Sequence, residues 1–405
     1  PHLDTLARHG TIFENAYVAS PICTASRASM MSGVFPQQHL VIALDSDKFK
    51  PYKDEGARSG QTLAHQLNVA GYHTGFYGKS HLGAPTGYGF AEGEELSGYD
   101  DKDTFTKAAT FLDTHATAEK PFFLWIAPRQ PHVPLLPEQQ WLDLYPEGKL
   151  SLADNYRIEP EQISLNNQGT PGQHFHRDSD YRQNHRNLSA GPPRDEQTMR
   201  EFIRAYYAVI SHMDHQVGQV VEQLRSLGVL EKTVIVFLSD NGYHLGSHGL
   251  GNKITMHEES VRVPMFMAGP GVPSGVRTNS LVSALDVYPT LLDLAGVENP
   301  PSHLMGQSLI PLLKNPTAAV QRTVFSEAVG VDGAAGEGHR MARGKRWKLI
   351  LTGTNRQYLF DQRDDPFELN NQIDNPELKP IADQLRRELS DWMQRIGDRP
   401  FANAQ

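Results

Sequence analysis

The chain has 405 residues, of which 39% are hydrophobic and 21% are charged, and its formal net charge is −9 at pH 7. This composition is typical of a globular protein, and the acidic excess argues against a general nucleic-acid binder. No apolar run is long enough to span a bilayer. A single cysteine, Cys23, excludes an intramolecular disulfide. We therefore expect neither nucleic acid nor a membrane as a partner, and an anionic substrate would need a local cationic pocket.

The apolar pattern predicts helices and strands that alternate along the chain. Residues 1–8 have the pattern of an amphipathic helix, and residues 196–227 repeat apolar side chains at helical spacing. Three short apolar runs without alternation, at 122–127, 234–238 and 264–268, are typical of fully buried strands. We expect an α/β fold with a large, mostly parallel central sheet between helices. In such folds, ligands bind at the carboxyl ends of the strands.

The pattern changes in the last quarter of the chain. Short strand-like runs follow residue 321, and a helix is predicted at about 377–395. We therefore divide the chain into a main α/β domain at 1–320 and a smaller α+β subdomain at 321–405. The polar stretch at 151–193 has little periodicity and is predicted to be a long surface excursion.

Cys23 begins the run Cys-Thr-Ala-Ser-Arg, which ends at Arg27. A lone cysteine is most often a small buried hydrophobe, but this one has an arginine four residues later and a helical pattern after it. Sulfur and guanidinium would then lie side by side at a helix start, a place that attracts anions. The run resembles the Cys-x-(Pro/Ala)-x-Arg signature of the type I sulfatases of the alkaline phosphatase superfamily, with Ala25 where most members carry proline. The resemblance implies that a formylglycine-generating enzyme oxidises Cys23 to formylglycine, whose hydrate is the nucleophile.

The first residues also resemble a sulfatase segment, Pro-Asn-Leu-Asp-x-Leu-Ala, which follows the first strand of that family. In the family this strand supplies two adjacent metal-binding aspartates, and neither is in this sequence. We expect the strand to lie upstream in the full polypeptide, because the other sulfatase motifs are intact. The alternative is an incomplete metal site.

Two further motifs contribute lysines. Lys79 and His81 lie in Gly-Lys-Ser-His-Leu-Gly, which could be an ordinary exposed loop but resembles the Gly-Lys-x-His-x-Gly motif of the sulfatases. The resemblance implies that Lys79 grips the sulfate group and that His81 hydrogen-bonds the formylglycine hydrate. Lys253 precedes Glu-Ser-Val-Arg-Val-Pro, which is similar to the family's Glu-x-x-Arg-Val-Pro. By resemblance, Lys253 is the second sulfate-binding lysine, although a lone lysine is usually a surface charge.

Three histidines are candidates for contact with substrate. His132 lies in Pro-His-Val-Pro, where two prolines fix the backbone on either side of the imidazole. It could belong to a rigid turn, but the matching sulfatase motif implies a general acid, a role that suits a group titrating near neutral pH. His244 and His248 share one loop and are predicted to contact substrate, although His-rich loops also occur for solubility.

Asp240 and Asn241 follow the apolar run at 234–238 after a single serine. Asp-Asn-Gly is most often a turn, but carboxylate and amide oxygens at the end of a buried strand suit a hard cation such as calcium or magnesium. The resemblance assigns calcium to Asp240, Asn241 and position 23, together with the aspartate pair that this sequence lacks.

The motifs in family order imply a sulfuric ester hydrolase, and the polar loops favour a sulfated carbohydrate as substrate, such as a glycosaminoglycan or an algal polysaccharide. Choline sulfate and aryl sulfates stay open as substrates. The alternatives are a phosphodiester or phosphonate monoester hydrolase of the same superfamily, a non-catalytic carbohydrate-binding relative, and a cysteine-thiol hydrolase. The family implies a periplasmic or secreted location.

Overall fold

The computed structural model describes most of the chain, and the rest of this section concerns these residues: 1–44, 46–157, 195–250, 253–316, 322–328, 338–353 and 356–398. Most of the predicted polar excursion at 151–193 lies outside the described residues, as does the predicted domain boundary at residue 320.

The helices and strands alternate through the first two thirds of the chain, and strands dominate the last third before a terminal helix. The helices are α1 (His2–Arg8), α2 (Cys23–Ser32), α3 (Pro36–His39), α4 (Leu63–Val69), α5 (Lys102–His115), α6 (Gln139–Leu142), α7 (Glu196–Ser226), α8 (Glu258–Val261), α9 (Val287–Leu294), α10 (Ile310–Lys314) and α11 (Lys379–Ile396). The strands are β1 (Gly10–Tyr17), β2 (His73–Gly78), β3 (Glu92–Glu95), β4 (Phe122–Ala127), β5 (Ile235–Leu238), β6 (Arg262–Val263), β7 (Met265–Ala268), β8 (Val276–Ser283), β9 (Val324–Ala328), β10 (His339–Arg343), β11 (Trp347–Thr352) and β12 (Gln357–Asp361).

The strands of the main domain form two sheets. In the five-stranded sheet, β1 pairs in parallel with β8 and antiparallel with β6 and β7, and β5 pairs antiparallel with β7. In the three-stranded sheet, β2 lies between β3 and β4, and all three strands are parallel. The predicted α/β class is confirmed. Strand direction is more mixed than predicted, because an apolar run shows that a strand is buried but not which neighbour it will pair with.

Only one of the three apolar runs is fully buried. Strand β7 is buried along its whole length, whereas β4 and β5 are mostly half-buried. Both of these strands line a cleft of about 1430 Å³ that also contains the charged residues described below. The prediction of full burial is therefore right for β7 and wrong for β4 and β5. An apolar run that lines a cleft has the same sequence pattern as one that is packed on both faces.

The longest helix is α7, with 31 residues, and it matches the predicted amphipathic segment. It begins after Asp195, whose side chain accepts a hydrogen bond from the backbone N–H of Thr198 at 2.8 Å and so caps the first turn. Its apolar stripe, which includes Phe202, Val209 and Met213, is buried against the rest of the domain. None of the helices among the described residues combines the length and apolar composition that crossing a bilayer requires.

The C-terminal region is a four-stranded antiparallel sheet in the order β12-β11-β10-β9, followed by α11. The ring of Trp392 on α11 stacks on Phe325 at a centroid distance of 5.1 Å and meets Phe35 of the main domain edge-on at 4.9 Å. Aromatic contacts of this kind add to the free energy gained by burying apolar area. The predicted C-terminal α+β subdomain is confirmed, and it packs tightly on the main domain.

Candidate active site

The structure places Cys23 at the first residue of α2, as predicted. The preceding residue, Ile22, is extended and gives no side-chain cap to the helix. Because backbone N–H groups at a helix start carry a partial positive charge, this position favours an anion. Arg27 follows one turn later on the same side of α2, since residues four apart are neighbours on a helix.

His81 is the residue that holds position 23 most directly. Its Nδ1 lies 3.5 Å from Sγ of Cys23 and 3.1 Å from Oγ1 of Thr24. The backbone N–H of His81 donates to Oε1 of Glu95 at 2.7 Å, and its φ of 61° lies in the left-handed region, which is uncommon for a residue with a side chain. Thr24 and Glu95 were not predicted. The sequence could have indicated Thr24, because its hydroxyl is next to the nucleophile position. No sequence motif around Glu95 indicates a role at the site.

Three cations that the sequence predicted lie around position 23 and also around one carboxylate, that of Asp240. Nε of Arg27 donates to Oδ2 of Asp240 at 2.7 Å, and Nη1 of Arg27 donates to the backbone carbonyl of Lys79. Lys79 and Lys253 are buried, with only 4% and 6% of their surface exposed. Buried charges need compensation, and one carboxylate does not balance three cations. Counted over the described residues, the cluster therefore has more cations than carboxylates and an excess of positive charge.

The pKa values of these groups reflect that excess. Burial opposes ionisation of Cys23, but the charges of Lys253 and Lys79 and the contact with His81 outweigh it, so the pKa of the thiol lies well below its ordinary value. Burial lowers the pKa of Lys79 to about 8, despite the opposing effect of Asp240. The pKa of Asp240 is strongly lowered, because Arg27 and the two lysines outweigh its burial. An anion at position 23 is thus stabilised by its surroundings.

Asn241 has the features of a metal ligand. Its Nδ2 donates to the carbonyl of Gly242 at 2.9 Å, and its Oδ1 is buried without a hydrogen-bond partner among the described residues. A buried acceptor without a partner costs free energy, and a cation would remove that cost. With the adjacent carboxylate of Asp240, this oxygen makes a donor set that fits a hard cation such as calcium or magnesium.

His132 faces the same cleft as the cationic cluster. The cleft is lined by His132, Arg27, Lys79 and Lys253, and also by Asp240 and Asn241. Nδ1 of His132 lies 2.6 Å from the carbonyl oxygen of Val133. Because a carbonyl can only accept, Nδ1 carries the proton of this contact, and the role of His132 as general acid stays a prediction.

His244 and His248 are even less exposed than the charged residues around position 23. Both are buried, and neither is among the residues that line the cleft. Nε2 of His244 lies 2.8 Å from Oγ1 of Thr255, and the ring of His248 stacks on His257 at 4.1 Å and lies near Glu259. This placement favours a role in holding the loop, and contact with substrate stays a prediction.

Comparison with known families shows what this site belongs to. Residues 1–297 match the family model described as Sulfatase. The chain belongs to the sulfatase family. Residues 246–395 also match the model described as N-sulphoglucosamine sulphohydrolase, C-terminal. The chain is therefore a sulfuric ester hydrolase of the alkaline phosphatase superfamily.

Individual relatives support the same family over almost the full chain. The sulfatase is 30% identical to the choline-sulfatase of Rhizobium meliloti (strain 1021), over 93% of this chain and 78% of the relative. Among solved structures, a protein in complex with its substrate D-glucosamine-2-N,6-O-disulfate has a TM-score of 0.80 and 22% identity, covering 100% of this chain and 94% of the other. A phosphonate monoester hydrolase from Silicibacter pomeroyi has a TM-score of 0.79 and 20% identity, covering 99% and 92%. These two structural likenesses show a shared fold.

Proposed function

We propose that this sulfatase removes sulfate from a sulfated carbohydrate, with formylglycine formed from Cys23 as nucleophile and calcium as the divalent cation. The observation that carries the proposal is the group of three cations, Arg27, Lys79 and Lys253, around position 23 at the start of α2. A sulfate monoester is a monoanion, and this arrangement offsets its charge where a nucleophile can reach the sulfur atom.

Lys79 and Lys253 are proposed to bind the sulfonate oxygens. Both ammonium groups are buried and face a centre with excess positive charge, so they bind an anion more strongly than exposed lysines would. Arg27 is already bonded to Asp240 and to the carbonyl of Lys79, so its main role is to fix the relative positions of α2, β5 and the Lys79 loop. In other enzymes, removal of one such charge-stabilising donor costs about 10²–10³-fold in rate.

Two histidines are proposed to handle protons on opposite sides of the sulfur. His132 lines the cleft and donates a proton to the departing sugar oxygen. His81 lies within 3.5 Å of position 23 and accepts the proton that the nucleophile gives up. A formylglycine at position 23 supplies, when hydrated, a hydroxyl that attacks sulfur.

Asp240 and Asn241 are the residues of this chain that would hold the calcium ion. They offer two oxygens, and calcium takes about six to eight oxygen ligands, so substrate, water and further protein oxygens complete the shell. When bound, the ion adds positive charge next to the sulfate oxygens. Magnesium would bind to the same two residues but would take fewer of its remaining ligands from the protein and more from water.

A sulfated amino sugar is the substrate class that the comparisons support. Residues 246–395 match the model of the C-terminal part of N-sulphoglucosamine sulphohydrolase, and a protein of the same fold was solved with a sulfated glucosamine. Maturation requires a formylglycine-generating enzyme as a partner. We propose a periplasmic or secreted location, where sulfated polysaccharides are encountered.

The experiment is a comparison of ester classes on protein produced together with a formylglycine-generating enzyme. Sulfate or phosphonate release is measured with sulfated glucosamine saccharides, choline sulfate, an aryl sulfate and an aryl phosphonate, for the wild type and for Cys23→Ala. We expect the highest kcat/KM with the sulfated saccharides and background rates for Cys23→Ala. Highest kcat/KM on the aryl phosphonate would favour the phosphonate hydrolase. Saccharide binding without release of any product would favour a non-catalytic relative.

A further inference from the structure

A cluster of two histidines and one glutamate lies at the end of the three-stranded sheet away from the active site. His73 begins β2, Glu92 begins β3 and His115 ends α5. Lys79 follows the opposite, carboxyl end of β2. At roughly 3.3 Å per strand residue, the six residues from His73 to Lys79 separate the cluster from the active site by about 20 Å.

Both imidazoles of the cluster approach the same carboxylate oxygen. Nε2 of His73 lies 2.8 Å from Oε1 of Glu92, and Nε2 of His115 lies 2.7 Å from it. The two rings stack with their centroids 3.9 Å apart, and the three ligand atoms all lie within 4.8 Å of one another. A single ion with metal–ligand bonds of about 2.0–2.2 Å would be reached by all three atoms after small side-chain adjustments.

The surroundings of the cluster suit an ion that arrives from solvent. The Tyr77 hydroxyl donates to Oε2 of Glu92 at 3.0 Å, so Oε1 is the oxygen that faces the imidazoles. Such outer hydrogen bonds orient metal ligands in many proteins. The side chains of His73, Glu92 and His115 are 30%, 40% and 22% exposed, so a hydrated ion can enter without unfolding the sheet.

We propose that His73, Glu92 and His115 bind a first-row transition-metal ion of the zinc class. Two imidazole nitrogens and one carboxylate oxygen are a common donor set for such ions, and three protein ligands leave a fourth position for water. Calcium and magnesium prefer oxygen ligands only, so the site is chemically distinct from the one proposed at Asp240. The bound ion would cross-link α5 to β2 and β3.

A second group with suitable residue types does not support the same proposal. His248, His257 and Glu368 also place ligand atoms close together, but all three residues are buried. Lys348 already contacts the carboxylate of Glu368, so a cation occupies the place that a metal ion would need.

The test is a titration of the chelator-treated 405-residue chain with ZnCl₂ by calorimetry and with CoCl₂ by visible absorption. His115→Gln removes one ligand, Tyr77→Phe removes only the outer hydrogen bond, and His9→Gln is a matched control at an exposed histidine. We expect His115→Gln to lose one equivalent of zinc and the cobalt absorption band. Tyr77→Phe should weaken zinc binding by about 10–100-fold, and His9→Gln should behave as the wild type.

Sulfate release with saturating calcium should be equal in the wild type and His115→Gln, which separates this site from the catalytic one. The proposal is overturned if the wild type and His115→Gln bind zinc with the same stoichiometry and affinity. It is also overturned if excess CaCl₂ displaces the zinc. Should His115→Gln fail to fold, as judged by circular dichroism, His73→Gln makes the same comparison with the other imidazole.

Discussion

Two buried lysines in this sulfatase have opposite surroundings. At the active site, Lys79 lies near two other cations and shares one carboxylate, Asp240, with them. On β11 of the C-terminal sheet, Lys348 is fully buried, donates to Oε1 of Glu258 at 2.8 Å and contacts Glu368. In the first cluster three cations act on one carboxylate, Asp240. In the second, Lys348 pairs with both Glu258 and Glu368, and Arg262 is a further cation at Glu258.

The difference distinguishes a lysine that can bind a substrate anion from one that stabilises the fold. The positive charge of Lys79 is only partly compensated within the protein, so a substrate anion can provide the remaining compensation. Lys348 is satisfied within the protein, and its partners connect two regions, because Glu258 lies on α8 and Glu368 follows β12. The backbone N–H of Glu258 also donates to Oε2 of Glu368 at 2.9 Å. This second cluster fastens the C-terminal sheet to the loop that carries Lys253.

The largest expected effect comes from Lys348→Met. The substitution removes the cation paired with Glu368 and, among the described residues, leaves Glu258 with Arg262 alone as its ion-pair partner. We therefore expect the free energy of unfolding to fall by about 3–5 kcal/mol. Urea denaturation followed by circular dichroism measures the change. Variant protein that still folds should keep the wild-type kcat/KM for sulfate release at low temperature. An unchanged unfolding free energy would show that the cluster does not fasten the two regions.

The same substitution at the active site, Lys79→Met, should lower activity and leave stability almost unchanged. We expect kcat/KM for a sulfate ester to fall about 10²–10³-fold, because one charge-stabilising donor is lost. The free energy of unfolding should change by less than about 1 kcal/mol, since Arg27 still pairs with Asp240. Steady-state kinetics and urea denaturation of the same preparation give both values. A large loss of stability without a loss of activity would contradict the contrast with Lys348.

The pH dependence of substrate binding should report the charge on Lys79. Its pKa is lowered to about 8, because burial disfavours the ammonium form. A sulfate ester keeps its charge over this range, so KM should rise above about pH 8 as Lys79 loses its proton. Well above this pKa, KM should rise by about tenfold per pH unit. Lys79→Arg stays charged and should remove this rise. A wild-type KM that is constant to pH 10 would exclude Lys79 as a charged ligand.

The pH dependence of stability should report Glu368, whose pKa is raised to about 7 because burial outweighs the attraction of Lys348. The folded protein then holds this proton more tightly than the unfolded chain, in which a glutamate titrates near about 4.3. The contribution of Glu368 to stability is therefore largest below about pH 4 and falls as the pH rises to about 7.

Glu368→Gln should lack this decline. Urea denaturation between pH 4 and pH 8 gives the wild-type and variant curves, and their difference isolates Glu368 from the other carboxyl groups. Parallel curves would show that Glu368 is ionised throughout, with Lys348 as its full counterion.

The residues that the sequence predicted well are those carried by short motifs. Cys23 and Arg27 lie one turn apart on one helix, and the lysine and histidine of the Lys79 loop follow a single strand, so local spacing placed them. Asp240 and Asn241 lie just after β5, at the position the apolar run predicted, and their role as metal ligands stays a prediction. The long amphipathic helix was also predicted, since its apolar period runs over 31 residues.

The features that the sequence did not predict depend on contacts between distant segments. Glu95 accepts a hydrogen bond from the backbone of His81, and Glu368 forms an ion pair with Lys348. No local sequence pattern links the partners in either pair. Strand direction and the half-burial of β4 and β5 depend in the same way on which strands become neighbours. The burial of His244 against Thr255 was also not predicted, and contact of His244 with substrate stays a prediction.

The central claim is that the excess positive charge around residue 23 serves a nucleophile made from Cys23. The most direct measurement is the mass of the peptide containing residue 23, from protein produced with a formylglycine-generating enzyme and tested in parallel for sulfate release. We predict the mass of the aldehyde, capture by a hydrazide and turnover proportional to the converted fraction. An unmodified thiol in protein that releases sulfate at full rate would contradict the claim.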